Sequence, residues 1–134
     1  MTKSILRFFF DYGAGGCLWA GDNDTREELG PGPVDEKLFV SKPACDLRVQ
    51  LDFEHSGYLN PLYPPDPSLW TQTLCDRFNA RVDTLLGLLR HELGASYDIV
   101  DEQQRYCEDP RLGEYLENNA GLAALNEVDA PTVS

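Results

Sequence analysis

Imidazole chemistry in this chain depends on two residues, His55 and His91. Each lies near the end of a predicted helix, where a positive side chain is favourable without any catalytic role. Nucleophilic catalysis needs a base, a group that orients it and an oxyanion site, and the sequence shows no such arrangement. Paired carboxylates acting as acid and base stay open, because 23 acidic residues offer many combinations. We expect no catalytic residues and no enzyme, with a small enzyme or ligand-binding domain that uses paired carboxylates as the alternative.

The four cysteines are far apart in the sequence, at Cys17, Cys45, Cys75 and Cys107. Zinc sites in small domains usually need closely spaced ligand pairs, so the spacing predicts no zinc site. The first residues lack the long apolar region of a signal peptide, and we expect a cytoplasmic protein. In a reducing compartment these thiols should be free and mostly buried.

Two loops have the beginnings of ligand-binding motifs. Asp22-Asn23-Asp24 starts as a calcium loop does, but Glu27 stands where that loop needs Gly, and Pro33 where it needs Glu. Gly13–Gly16 follows a strand as a phosphate loop would, but a second strand follows it instead of a helix. We expect an acidic helix cap and a hairpin turn, with no cofactor or metal.

The formal net charge of −12 indicates which partners the chain can have. A strongly acidic surface repels phosphate, which disfavours nucleic acid and anionic membranes. Residues 94–134 hold nine acids against two arginines, which is −7 of the total. We therefore predict a basic protein partner. The predicted binding acids are a late cluster and an early cluster: Asp98, Asp101, Glu102, Glu108 and Asp109, then Asp22, Asp24, Glu27 and Glu28.

Three aromatic residues flank a proline-rich connection that cannot be helical. They are Tyr58, Tyr63 and Trp70, and two interpretations are open for them. Aromatic side chains on a rigid segment often anchor protein interfaces, and here they could instead pack the connection against the N-terminal hairpin. Of the three, we include Tyr63 and Trp70 among the predicted partner-binding residues.

The hydrophobic pattern predicts one α+β domain over residues 1–134, large enough for a single core. We expect a small, mainly antiparallel sheet, made of an N-terminal hairpin and a later strand and covered by two main helices. Residues 119–134 should be a flexible tail. The predicted elements are a hairpin over Ile5–Ala20, helices at about 43–55 and 72–93, a strand over Tyr97–Asp101 and a last helix over 111–118.

The second main helix has the clearest amphipathic pattern. Phe78, Val82, Leu85 and Leu89 fall on one stripe at helical spacing, which predicts a buried face. Arg81 falls outside that stripe among mixed charges. We expect it to face solvent and its replacement by Ala to cost little.

Three segments resemble a group of small, acidic, mostly uncharacterised bacterial cytosolic proteins: residues 8–24, residues 63–70 and Arg77–Asn79. The resemblance extends over about residues 5 to 102. That group has no enzymatic motif, and its size and acidity are similar to those of immunity proteins that neutralise polymorphic toxins. The chain departs from the group at Gly30–Pro33, before the first long helix, which implies a different binding surface.

The resemblance and the charge together favour an acidic cytosolic binding protein, an immunity protein that occludes the active cleft of a basic toxin. Besides the enzyme alternative, a structural or adaptor subunit is a third class, which the acidity fits less specifically.

Overall fold

The computed structural model describes residues 3–127 as one α+β domain, which confirms the predicted fold class. In chain order its elements are β1 (Ser4–Phe8), β2 (Leu18–Ala20), α1 (Asn23–Leu29), a 3₁₀ turn (Asp35–Lys37), α2 (Lys42–Ser56), α3 (Gln72–Leu93), β3 (Tyr97–Asp101) and α4 (Leu112–Glu117).

The sheet has the order β2-β1-β3, with β1 in the centre. Strand β1 is antiparallel to β2 and parallel to β3, so the sheet is mixed, where the sequence predicted a mainly antiparallel one. The physical reason lies in the connection. Three helices separate β2 from β3, and a crossover of that length lets the chain return in the direction of β1, which a tight turn does not.

The hairpin turn at Gly13–Gly16 is confirmed, and a carboxylate holds it. Gly13 and Gly15 have positive φ angles of 72° and 79°, which favour glycine. The Asp35 carboxylate accepts the N–H of Cys17 at 3.1 Å and that of Leu18 at 3.0 Å. A Cβ on Gly16 would lie 2.5 Å from Asp35 Oδ1, so this position has room only for glycine.

Both long helices begin at a side-chain cap. The Ser41 side chain accepts the N–H of Ala44 at the start of α2, and the Thr71 side chain accepts that of Leu74 at the start of α3. Their bounds match the predicted 43–55 and 72–93 to within a residue. Strand β3 and α4 also form where the sequence placed them.

The core lies between one face of the sheet and the stripe of α3. Leu6 and Phe8 of β1 point inward, and the predicted α3 stripe is buried in full. Helix α2 packs against α3 and adds Ala44 and Leu51. Between residues 3 and 127, no helix is both long and apolar enough to cross a membrane.

The start of the predicted tail is paired with the chain before α3. Leu125 donates its N–H to the carbonyl of Leu69 at 2.7 Å and accepts the N–H of Thr71 at 2.9 Å. Residues 119–127 therefore belong to the domain, and residues 128–134 lie outside the described residues.

Candidate functional site

Side-chain hydrogen bonds from Asn60 and Ser68 join the two ends of the proline-rich connection between α2 and α3. Prolines lack the N–H that a backbone turn would use, so side chains take part in the hydrogen bonding of this connection. Asn60 is buried, and its Oδ1 accepts the N–H of Leu62 at 2.9 Å and of Tyr63 at 3.2 Å. Its Nδ2 donates to the carbonyl of Pro67 at 2.8 Å. The Asn60 amide and the Ser68 hydroxyl, which donates to the Tyr58 carbonyl, therefore connect both ends of the loop.

This fixed loop presents large apolar side chains to solvent. Leu62 is 68% exposed and Tyr63 59%, with Leu59 at 38% beside them. Exposed apolar groups on a rigid backbone lose little conformational entropy when a partner covers them. The loop is therefore suited to contact another protein.

The other two aromatic residues of this region pack inward, onto Tyr106 and Phe78 and not against the hairpin as the second interpretation held. Tyr58 meets Trp70 edge to face at 5.1 Å between ring centroids and stacks on Tyr106 at 4.0 Å. Trp70 is completely buried, so it cannot touch a partner in this conformation. The prediction that Trp70 contacts a partner is therefore wrong. Its ring packs between Tyr58 of the loop and Phe78 of the core, a contact that sequence spacing does not reveal.

Acidic side chains flank the exposed loop. Asp66 lines a cavity of about 180 Å³ together with Asp109 and Arg111, and Glu114 lines the next cavity along with Asp66. Arg111 pairs with Asp109 at 2.8 Å and holds the pKa of that carboxyl below its usual value. Asp66 and Glu114 form no salt bridge within residues 3–127. We call Leu59, Leu62, Tyr63, Asp66, Asp109 and Glu114 the loop surface.

The late acidic cluster does not form one open patch, because each of its five members has a partner within the chain. These are Lys3 for Asp98 at 3.9 Å, Arg105 for Asp101 at 2.9 Å, Arg7 for Glu102 at 2.7 Å, the backbone N–H of Gln72 for Glu108 at 3.2 Å, and Arg111 for Asp109. An exposed carboxylate that is already paired contributes less to the field outside the protein.

The early acidic cluster is more open. Asp22 is the N-cap of α1: its Oδ1 accepts the N–H of Thr25 at 2.7 Å, and its hydrogen bonds with Thr25 lower its pKa. Asp24, Glu27 and Glu28 are exposed on α1, and no salt bridge joins them to any residue from 3 to 127. In that same range no three His, Cys, Asp or Glu side chains are grouped to hold a metal ion.

No protein-family model matches the chain, and neither a curated protein nor a solved structure matches it. The resemblance to small acidic bacterial proteins therefore stays a prediction.

A pocket of about 350 Å³ lies beside the hairpin, between the end of β1 and the segment after β3. Arg7 and Glu102 form its outer wall and neutralise each other through two hydrogen bonds of 2.7 and 2.8 Å. Glu102 is the single carboxylate among the lining residues. The acid and base pair of the enzyme alternative is therefore not assembled in this pocket.

The inner wall of the pocket holds His55, which is buried among aromatic rings. The Tyr12 ring stacks on the imidazole with centroids 4.4 Å apart, and the Tyr106 hydroxyl lies 3.3 Å from Nε2. Burial lowers the pKa of His55 to about 4, against a smaller opposing effect of Asp11. Nδ1 is buried and has no hydrogen-bond partner in the described structure. His55 is thus neutral at pH 7 and retains an unused hydrogen-bonding atom.

Sequence reasoning placed His55 at a helix end and missed its burial. One signal was available, since His55 follows the buried Leu51 by four residues, which is one turn on the same helix face. The exposure of Leu62 and the anchoring role of Asn60 had no comparable signal. His91, in contrast, is exposed on the last turn of α3.

Proposed function

We propose that this chain is an acidic binding protein whose loop surface docks on a basic protein, in the way that an immunity protein covers the active cleft of a toxin. The observation that carries the proposal is the combination found in the loop surface. Apolar side chains stand exposed on a backbone locked by Asn60, with carboxylates around them.

The apolar centre would supply most of the binding energy. Hot spots in interfaces are a few large side chains, enriched in aromatics, that become fully desolvated in the complex. Leu62 and Tyr63 are adjacent in sequence and are the most exposed large apolar residues of the loop. Because the loop is already ordered, little conformational freedom remains to be lost on docking.

The acids would supply orientation and speed. Complementary charge raises the association rate and rejects partners of like sign more than it adds affinity. Asp66 and Glu114 are the available carboxylates beside the loop, and Asp24, Glu27 and Glu28 of α1 form a second negative surface. The paired acids Asp101 and Glu102 rank below these, because a partner would have to compete with Arg105 and Arg7 for them.

Strand addition at the free edge of β3 is a less suitable docking mode. Glu102 donates its backbone N–H to the Phe8 carbonyl, so the backbone N–H and C=O groups of the even-numbered residues in this segment point toward β1. Those of Ile99 point toward the open edge of the sheet. Arg90 already donates to the Ile99 carbonyl at 2.8 Å. A docking strand would have to displace that guanidinium.

The test is binding between this chain and the protein encoded by the neighbouring gene, measured as kinetics at low and high salt. We expect the double variant Leu62→Ala, Tyr63→Ala to raise the dissociation constant about tenfold or more, since truncating an anchor side chain costs more than about 1 kcal/mol of binding free energy. Phe39→Ala is the matched control, because Phe39 is 93% exposed but lies outside the loop surface. Its binding should equal that of the parent.

Charge reversal separates the two acidic surfaces. Asp66→Lys with Glu114→Lys should slow association and flatten its salt dependence, with an unchanged melting temperature. Asp24→Lys with Glu27→Lys measures the contribution of α1 in the same assay. The proposal is wrong if the neighbouring gene product does not bind, or if it binds the Leu62/Tyr63 variant as tightly as the parent.

The pocket beside the hairpin favours a second candidate, a ligand-binding domain without paired carboxylates. The pocket is lined by aromatic rings, and its two charged groups pair with each other. Such a wall suits an uncharged, flat ligand with hydrogen-bonding groups on its rim. Titration with adenosine and uridine, followed by amide NMR, should shift Gln103 and Gln104 if this candidate is right, and no shift at either residue would exclude nucleoside ligands.

A further inference from the structure

Hydrogen bonds join the segment that contains Cys107 to α3 at two points. On one side of Cys107, Gln72 and Glu108 exchange two hydrogen bonds, of 3.2 and 3.0 Å, between backbone N–H groups and side-chain oxygens. On the other side, the Asn79 side chain donates to the Tyr106 carbonyl at 2.8 Å and accepts the Tyr106 N–H at 2.9 Å. The backbone of residues 106–108 is thus held against the helix.

Cys75 lies on α3 between Gln72 and Asn79, the two residues that make these hydrogen bonds. Residues three, four and seven apart share one helix face, so Cys75 is on the face that carries Gln72 and Asn79. The bonds at Tyr106 and Glu108 hold the intervening Cys107 over the stretch of α3 between Gln72 and Asn79, which contains Cys75. Both residues are free thiols, with Cys75 buried and Cys107 exposed.

We propose that Cys75 and Cys107 form a disulfide when the chain meets a low-molecular-weight disulfide such as oxidised glutathione. A protein disulfide needs two Cα atoms held close together, and the side-chain to backbone bonds on each side of the pair provide that approach. The other two cysteines lack such a relation: Cys17 is hydrogen-bonded to Asp35 beside the hairpin turn, and Cys45 lies on α2.

The exchange begins at Cys107, which solvent reaches. The Cys107 thiolate attacks one sulfur of oxidised glutathione and releases one glutathione thiolate. The Cys75 thiolate then attacks the Cys107 sulfur of the mixed disulfide and releases the second glutathione. Two protein thiols are oxidised, their protons pass through solvent to the two released glutathione thiolates, and one oxidised glutathione becomes two reduced ones. Burial raises the pKa of Cys75 to about 11, so we expect the second step to be the slower one.

The experiment is incubation of the intact folded chain with oxidised glutathione, followed by intact mass and peptide mapping without reductant. We expect a loss of two hydrogen masses and one peptide pair joined through Cys75 and Cys107. The oxidised chain should melt at a higher temperature than the reduced chain, because the bridge restricts the unfolded state.

Single substitutions identify each step. Cys75→Ser should stop at one glutathione attached to Cys107, whereas Cys107→Ser should give neither adduct nor bridge at that position. Cys45→Ser is the control and should oxidise as the parent does. Because Cys107 is exposed, its Ser variant should fold even if the Cys75 variant does not. A parent chain that accumulates only the Cys107 adduct, or that joins other cysteines equally, would overturn the proposal.

Discussion

The Glu54 carboxylate of α2 accepts a hydrogen bond from the Arg81 guanidinium of α3, with Oε2 and the guanidinium nitrogen 2.9 Å apart. Glu54 is buried, and its other oxygen has no partner in the described structure. Arg81 was expected to face solvent and to be dispensable. That expectation is wrong, because α2 covers this side of α3 and brings a buried carboxylate to the arginine.

Arg81→Ala should therefore lower the free energy of unfolding by about 3 kcal/mol, because it leaves a buried carboxylate without its counter-ion. Urea unfolding measures the change. Arg77→Ala is the matched control, one turn earlier on the same helix and exposed. The double variant Glu54→Gln with Arg81→Ala should recover part of the loss, since the buried charge is then gone. Equal stability of the Arg77 and Arg81 variants would contradict this assignment.

Leu85→Ala should destabilise the fold by roughly 2–5 kcal/mol, because it removes a fully buried side chain and leaves a cavity. The effect should appear as a lower urea midpoint with little change in slope. Leu88→Ala, on the same helix but only partly buried, should cost less. If the two substitutions cost the same, the buried face of α3 is misassigned.

His55 should make stability depend on pH. Its pKa is about 4 in the folded chain and 6.5 when unperturbed, so the unfolded state binds the proton first as pH falls. The free energy of unfolding should be highest above pH 6.5 and decrease by about 3 kcal/mol from this group as pH falls to about 4. Urea melts across that range provide the measurement.

His55→Phe retains a ring in the aromatic cluster and should remove this part of the pH dependence. His91→Gln, which also deletes an imidazole, should leave it intact. Asp11 and the tyrosines around His55 are common to both variants, so the difference between them reports the imidazole. An unchanged pH dependence in the Phe variant would show that His55 does not titrate as described.

The four cysteines of the reduced chain should differ in the rate at which a thiol reagent labels them. Cys107 is exposed and Cys45 half-buried, whereas Cys17 and Cys75 are buried. Burial and Asp35 raise the pKa of Cys17, and burial raises that of Cys75, which also lowers their reactivity. We expect Cys107 to react first, Cys45 more slowly, and all four only after denaturation. Four equally fast thiols in the native chain, or one stoichiometric zinc per chain, would refute this expectation.

The sequence alone was sufficient to predict the positions of the two long helices. The hydrophobic pattern predicted α2 and α3 to within a residue of their bounds, and the spacing of Phe78, Val82 and Leu85 predicted the buried face of α3. Such signals are local: a cap acts within three residues, and a helix repeats its face every three or four.

Tertiary structure decided the candidate site. Tyr63 was expected at the surface on sequence grounds, but the burial of Trp70 depends on Tyr58, Phe78 and Tyr106 closing around it. The late acids looked open in the sequence, yet Arg7 pairs with Glu102 across 95 residues. A contact between residues so far apart leaves no periodic trace, because it arises only when packing of the apolar faces brings two distant segments together.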